Sequence, residues 1–270
     1  MKVLDLFSGI GGFTYGLERA GFETVAFCEI DEWCVKNALS TNWPDIYVHN
    51  DIKTLDYHYD AAEPDDCLLY DRELDHEICR GTIDIVTAGV PCQPASIIGK
   101  RKGCADDRWL WPDALRIIRR VRPKWVICEN PTGILSLDGG DRFAEILQGF
   151  SEAGYAVWWE TIPATAVGAG HRRERVWIIA HAGSQGLERY PGDEQIQRYA
   201  QSHGSAAPQA VFPARDTPEW WKDQSPVPIV VNGVPSPSFW KQAVIATGNA
   251  VLPQIPEIIG RSIMGLETSS

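Results

Sequence analysis

Val3-Leu4-Asp5-Leu6-Phe7-Ser8-Gly9-Ile10-Gly11-Gly12 begins as an apolar run and ends in closely spaced glycines. Residues 3–7 read as a short buried strand, and a helix follows to about residue 20. Glycines at a strand-to-helix turn let the backbone approach a ligand, while the helix N-terminus offers free N–H groups and positive potential. A plain tight turn would use the same glycines. The spacing is Gly-x-Gly-Gly, not the Gly-x-Gly-x-x-Gly of dinucleotide enzymes. Glu29 ends the next apolar run, 20 residues after Gly9, where an acid can bind ribose hydroxyls. Asp51 follows a third short strand, residues 46–48, and suits an adenine amino group.

The same alternation continues along the chain. Helices are expected over residues 32–41, 113–121 and 142–153, and strands over 83–88, 125–128, 156–162 and 175–180. Strands alternating with helices indicate an α/β fold with a mostly parallel, doubly wound sheet. Between residues 182 and 239 Gly, Ser, Gln and Pro accumulate and periodicity is lost. Order returns with Gly248-Asn249-Ala250-Val251 and a helix over 256–264. Three regions follow: a main domain (1–181), a small irregular lobe (182–239) and a C-terminal segment (240–270) that returns to the main domain.

A chain of 270 residues can bury a full core in one domain plus a small lobe. No apolar run approaches the roughly 18 residues that suggest a membrane span, so no membrane partner is expected. The start, Met1-Lys2-Val3-Leu4-Asp5, lacks the shape of a signal peptide. Seven cysteines without a CxxC pair argue for reduced thiols in a cytoplasmic compartment. The net charge of −11 at first argues against a nucleic-acid partner. However, residues 54–82 hold nine Asp/Glu against two Arg, so most of the acidity is local. This stretch reads as a solvated surface insertion. Basic clusters elsewhere, at Lys100-Arg101-Lys102, residues 116–124 and Arg172-Arg173-Glu174-Arg175, leave room for a basic cleft.

Two strand ends carry reactive groups. Pro91-Cys92-Gln93 follows the run over 83–88, which places a thiol on a loop at the mouth of the sheet. Glu129 follows the run Trp125-Val126-Ile127-Cys128 and is delivered to the same sheet edge. A thiol with a carboxylate beside it suggests covalent catalysis assisted by a proton donor. Cys28 and Cys128 read as core, Cys34 as helical and Cys104 as part of a polar loop. Cys67 and Cys79 lie near His58 and His76, but their spacing matches no familiar zinc site, and no metal is expected. The run from His171 to Arg175 reads as a surface charge cluster or as contacts to phosphate and base oxygens.

Taken in order, Asp5 to Phe13, Glu29, Asp51, Gly89-Val90-Pro91-Cys92-Gln93, Glu129-Asn130, Arg172 to Val176 and Gly248 to Val251 closely resemble the DNA cytosine-5 methyltransferases of bacteria and phages. The resemblance implies a Rossmann-like methyltransferase sheet with a target-recognition lobe at 182–239. It implies S-adenosylmethionine as cofactor, with S-adenosylhomocysteine as product. Phe7, Ser8, Gly9, Ile10, Gly11, Gly12, Glu29, Ile30, Asp51, Ile52, Gly89, Pro91, Asn249 and Ala250 would hold it. Cys92 would add to carbon 6 of a flipped-out cytosine, Glu129 would act at N3, Arg175 would hold O2, and Arg173 would support the same pocket. Nearby arginines and loop amides would favour the Cys92 thiolate. Gln93, Ser96, Lys100, Arg101, Lys102 and Arg172 would meet double-stranded DNA, the loop over 95–108 closing on it. The resemblance also implies a monomer and allows a companion restriction endonuclease. Pro131, Ala95 and His171 depart from the family pattern.

Overall fold

The computed structural model describes residues 1–73, 76–92, 109–182 and 237–268. Ten strands are present among them: β1 (Lys2–Leu6), β2 (Glu23–Cys28), β3 (Tyr47–His49), β4 (Leu55–His58), β5 (Leu68–Asp71), β6 (His76–Arg80), β7 (Ile85–Ala88), β8 (Trp125–Pro131), β9 (Tyr155–Pro163) and β10 (Glu174–Ala182). Helix α1 is Gly12–Arg19, and α2 runs from Glu32–Cys34 through a π-helical stretch, Val35–Leu39, to Ser40–Asn42. Helices α3 (Trp111–Val121), α4 (Asp141–Glu152), α5 (Pro237–Asn249) and α6 (Gln254–Glu267) complete the described set.

Seven strands form one sheet in the order β3-β2-β1-β7-β8-β10-β9. The first five are mutually parallel; β10 runs antiparallel to both β8 and β9. Side chains alternate across the sheet as the strand period requires. Val3, Ile85, Trp125, Ile127 and Trp177 pack on one face with Phe13 and Leu17 of α1 and Ile255, Ile259 and Ile263 of α6. Leu4, Leu6, Val86, Val126, Cys128 and Ile178 pack on the other with Ala114, Ile117 and Ile118 of α3 and Ile146 and Phe150 of α4. The sheet is therefore buried on both faces, which is why its strands read as continuous apolar runs.

Helices α1 and α6 approach each other through glycine. A Cβ on Gly16 would collide with the Pro253 carbonyl oxygen and stand 2.8 Å from Cγ of Pro256. Gly16→Ala should therefore cost about 2 kcal/mol through overpacking, read as a lower urea midpoint with an unchanged slope. An unaltered midpoint would show that the two helices separate freely.

The acidic stretch departs from the expected solvated insertion. β4, β5 and β6 form a separate antiparallel sheet. Leu55, Tyr57, Cys67 and Leu69 are buried in the same core as Leu4 and Val86. Five of the acids, Asp60, Glu63, Asp65, Asp66 and Glu73, lie between the strands rather than in them, so the average charge conceals the buried apolar residues of β4 and β5. Gly248 and Asn249 end α5, and the last helix, expected over 256–264, extends over Gln254–Glu267. Of the irregular lobe and the loop after Cys92, residues 183–236 and 93–108 lie outside the described residues, and with them Gln93, Ser96, Lys100, Arg101 and Lys102.

Candidate active site

Because β1, β2, β3, β7 and β8 are parallel, their C-terminal ends share one edge, where ligands bind in open α/β sheets. A cavity of about 400 Å³ lies along it. Following the strand order, it is lined by Asp51 and Ile52 beyond β3, Glu29, Ile30 and Asp31 beyond β2, and Phe7, Ser8 and Gly9 beyond β1. Gly89, Val90, Pro91 and Cys92 follow beyond β7, then Glu129 and Pro131 at the end of β8, and Arg175 at the start of β10. Ile245, Ala246, Asn249, Ala250 and Val251 close it from the returning tail.

The glycine turn is built from buried polar contacts. Asp5 is fully buried and accepts hydrogen bonds from the Thr14 hydroxyl (2.9 Å) and the Thr87 hydroxyl (2.6 Å). These tie β1 to α1 and β7, and burial pushes the Asp5 carboxyl up to about 7. Phe7 and Gly9 both adopt φ of +55°, a conformation natural for glycine and uncommon for phenylalanine. The Gly9 N–H donates to Glu29 Oε2 (2.6 Å) and the Asp31 N–H to Oε1 (2.7 Å). Burial raises the Glu29 carboxyl above its usual range.

Ile10, Gly11 and Gly12, expected against a cofactor, do not line the cavity. Ile10 packs with Cys34 and Ala38. A Cβ on Gly11 would strike the Trp43 ring, and one on Gly12 would stand 2.6 Å from the Val251 carbonyl oxygen. Gly11 and Gly12 thus serve close packing.

At the other end, Glu129 is 6% exposed and meets Arg175, Nε to Oε1, at 3.0 Å. Burial pushes its carboxyl up to about 7, against the pull of Arg175 and Arg173. Cys92 is half-buried. Burial and then the Glu129 charge raise its thiol above the ordinary value, the reverse of the expected activation by arginines. Arg175, which lines the same cavity, is engaged with Glu129, and it is the carboxylate whose charge acts on Cys92.

Arg172 and Arg173 both stand outside the cavity lining. The Arg173 guanidinium donates to the carbonyls of Gly248 and Ala250, the latter at 2.7 Å. It thus pins the tail that carries Asn249 and Ala250, and it acts on Glu129 only through space. Arg172 is exposed beside Glu174. Asn130 received no role from the sequence, yet it is fully buried and bridges the reactive strand ends. Its amide donates to the Val90 carbonyl (2.7 Å) and accepts from Trp111 Nε1 (3.2 Å). Its place directly after Glu129, at the tip of a buried strand, was the available signal.

The family model for C-5 cytosine-specific DNA methylases matches residues 1–217. The Type II methyltransferase M.HgiCII of Herpetosiphon aurantiacus is 36% identical over 182 residues, covering 66% of this chain and 36% of its own length. The Type II methyltransferase M2.BsuMI of Bacillus subtilis (strain 168) is 33% identical over 185 residues, covering 67% and 42%. The crystal structure of the S. pombe Dnmt2 methyltransferase superposes with a TM-score of 0.51 at 23% identity, covering 69% of this chain and 52% of that one, a likeness of fold. The chain thus spans well under half the length of these two curated relatives. Matched by the family model over most of its length, it belongs to the C-5 cytosine-specific DNA methylases.

Proposed function

We propose that this chain transfers a methyl group from S-adenosylmethionine to carbon 5 of a flipped-out cytosine in double-stranded DNA, through a covalent bond between Cys92 and carbon 6. One observation carries the reading: a single cavity joins a carboxylate-lined end to an end holding Cys92, Glu129 and Arg175.

The residues present fit the donor. Glu29, Asp31 and Asp51 would repel a pyrophosphate, but they suit ribose hydroxyls, an adenine amino group and a cation. Ile30, 71% exposed, and Phe7 offer apolar surface for a purine ring. When bound, S-adenosylmethionine supplies an electrophilic methyl group on a sulfonium.

Carbon 5 of cytosine is unreactive within its aromatic ring. Addition of the Cys92 sulfur to carbon 6 breaks the aromaticity and makes carbon 5 nucleophilic. Electron density then builds at N3, where protonated Glu129 donates a hydrogen bond or its proton. A carboxyl titrating near 7 is suited to that task, since a substantial fraction carries the proton at neutral pH. Arg175, already oriented by Glu129, can hold the O2 oxygen. Loss of the carbon 5 proton afterwards expels the thiolate and restores the ring. Such a site requires the base to leave the duplex.

Target recognition is assigned to residues 182–239, because the strands and helices of 1–181 are committed to the sheet and the cavity. The Type II names of relatives favour a companion restriction endonuclease. Incubation with donor labelled in the methyl group and duplex DNA should place the label in 5-methylcytosine. Label in an exocyclic-amine product would overturn the chemistry. Label entering structured RNA but not duplex DNA would replace the substrate.

A further inference from the structure

The turn that presents Asp51 and Ile52 to the cavity is held from behind, and much of the holding comes from the acidic sheet β4–β6. Each carbonyl from Asp51 to Leu55 has a donor or ring nitrogen against it. His49 Nε2 lies 2.9 Å from the Asp51 carbonyl and 2.8 Å from the Thr54 hydroxyl. Arg116 of α3 donates to the carbonyls of Ile52 (2.6 Å) and Leu55 (2.9 Å). Arg72, directly after β5, donates through its guanidinium to Lys53 (2.7 Å) and through its backbone N–H to Thr54 (2.8 Å). Asp71, the last residue of β5, sets its carboxylate 3.5 Å from His49 Nδ1, both side chains being nearly inaccessible to solvent. The Glu29 N–H in turn donates to the His49 carbonyl (2.8 Å). His49 therefore stands between Glu29 and Asp51, two of the acids that face the cavity. The His76 ring of β6 also lies against Tyr47 of β3, with centroids 5.3 Å apart.

We propose that β4–β6 is a brace that sets donor affinity, with Asp71 and Arg72 as positioning residues for the Asp51–Ile52 turn. The proposal rests on the reading that the donor occupies this cavity. A turn held in place before binding loses less freedom when the ligand arrives, so loosening it weakens binding. The chemistry at Cys92 and Glu129, at the opposite end of the cavity, is left alone. This separates a brace from a general stabilising role, which would lower both parameters together.

Binding of S-adenosylhomocysteine to the full chain, followed by calorimetry, tests the brace in Asp71→Ala and Arg72→Ala. Each should raise Kd by about tenfold, the worth of a lost hydrogen bond, while kcat at saturating donor stays within about twofold of wild type. Arg72→Lys should recover part of the affinity. Because Asp71→Ala leaves a buried imidazole short of a partner, thermal melting must accompany it. Arg72→Ala decides alone if that variant does not fold. Unchanged Kd in folded variants, or a fall in kcat without a change in Kd, overturns the brace while leaving the donor reading intact. Failure of the wild-type chain to bind S-adenosylhomocysteine overturns the donor reading and the brace with it.

Discussion

Replacing Cys92 with serine should lower methyl transfer by at least about 10³-fold, the scale expected when a covalent nucleophile is lost, while donor binding is retained. The substitution conserves volume, and Cys92 sits on a strand-end loop rather than deep in the core, so the fold should survive it. The reason for the loss is chemical. A thiolate is reachable near neutral pH, whereas a hydroxyl at the same place would need a general base. The group beside Cys92 is Glu129, a carboxyl whose negative form raises the thiol instead of accepting its proton usefully. Label transfer to duplex DNA, together with calorimetric binding of S-adenosylhomocysteine, checks both halves of the expectation. Activity of Cys92→Ser within tenfold of wild type would remove the covalent step.

Cys92 illustrates what the sequence could and could not disclose. An apolar run ending at a proline-bounded loop is enough to place Cys92 at a sheet mouth, and the same logic places Glu129, Glu29 and Asp51. Those four residues do line one cavity. Parallel strands deliver their C-terminal ends to one edge, so a list of strand ends is already a map of the site. Polar side chains that act on backbone groups were not legible. Arg173 reads as one member of a charge run, yet its partners, Gly248 and Ala250, lie some 75 residues away in a tail whose path no local pattern encodes. Asn130 and Arg116 are similar: each spans elements joined only by the fold. The acidic sheet was misread for a different reason. Composition averages strands with the segments between them, so the acids of those segments outweighed Leu55, Tyr57 and Leu69, which turn inward. The sign of the thiol shift was also beyond reach, because it depends on how far the fold buries Cys92 and how close it brings Glu129.

Glu129→Gln should lower turnover by about 10²- to 10⁴-fold, the usual range for loss of a positioned acid, and should change the shape of the pH profile. The productive form needs a Cys92 thiolate together with a protonated Glu129. With the carboxyl titrating at about 7 and the thiol above its ordinary value, that form is a minor partner of the neutral thiol paired with a carboxylate. The two forms share one net charge, so their ratio does not change with pH. Wild-type turnover should thus rise to about pH 7, stay level, and fall only as the thiol itself ionises. Glutamine removes the break near pH 7, so the residual rate should rise through that point and beyond it with the thiolate fraction. Stability should move the other way. A buried acid raised from 4.5 to about 7 binds its proton more tightly in the folded chain than in the unfolded one. The folded state therefore loses stability as pH climbs through that window. Glutamine carries no such charge, so at pH 8 the variant should be more stable than wild type by ~3 kcal/mol, a difference that disappears near pH 4. A higher melting temperature at pH 8 with collapsed turnover would mark Glu129 as a group held at a cost to folding for its chemistry. Turnover near wild type, or a break near pH 7 that persists in the glutamine variant, would take Glu129 away from N3 and leave its buried pairing with Arg175 as a structural contact alone.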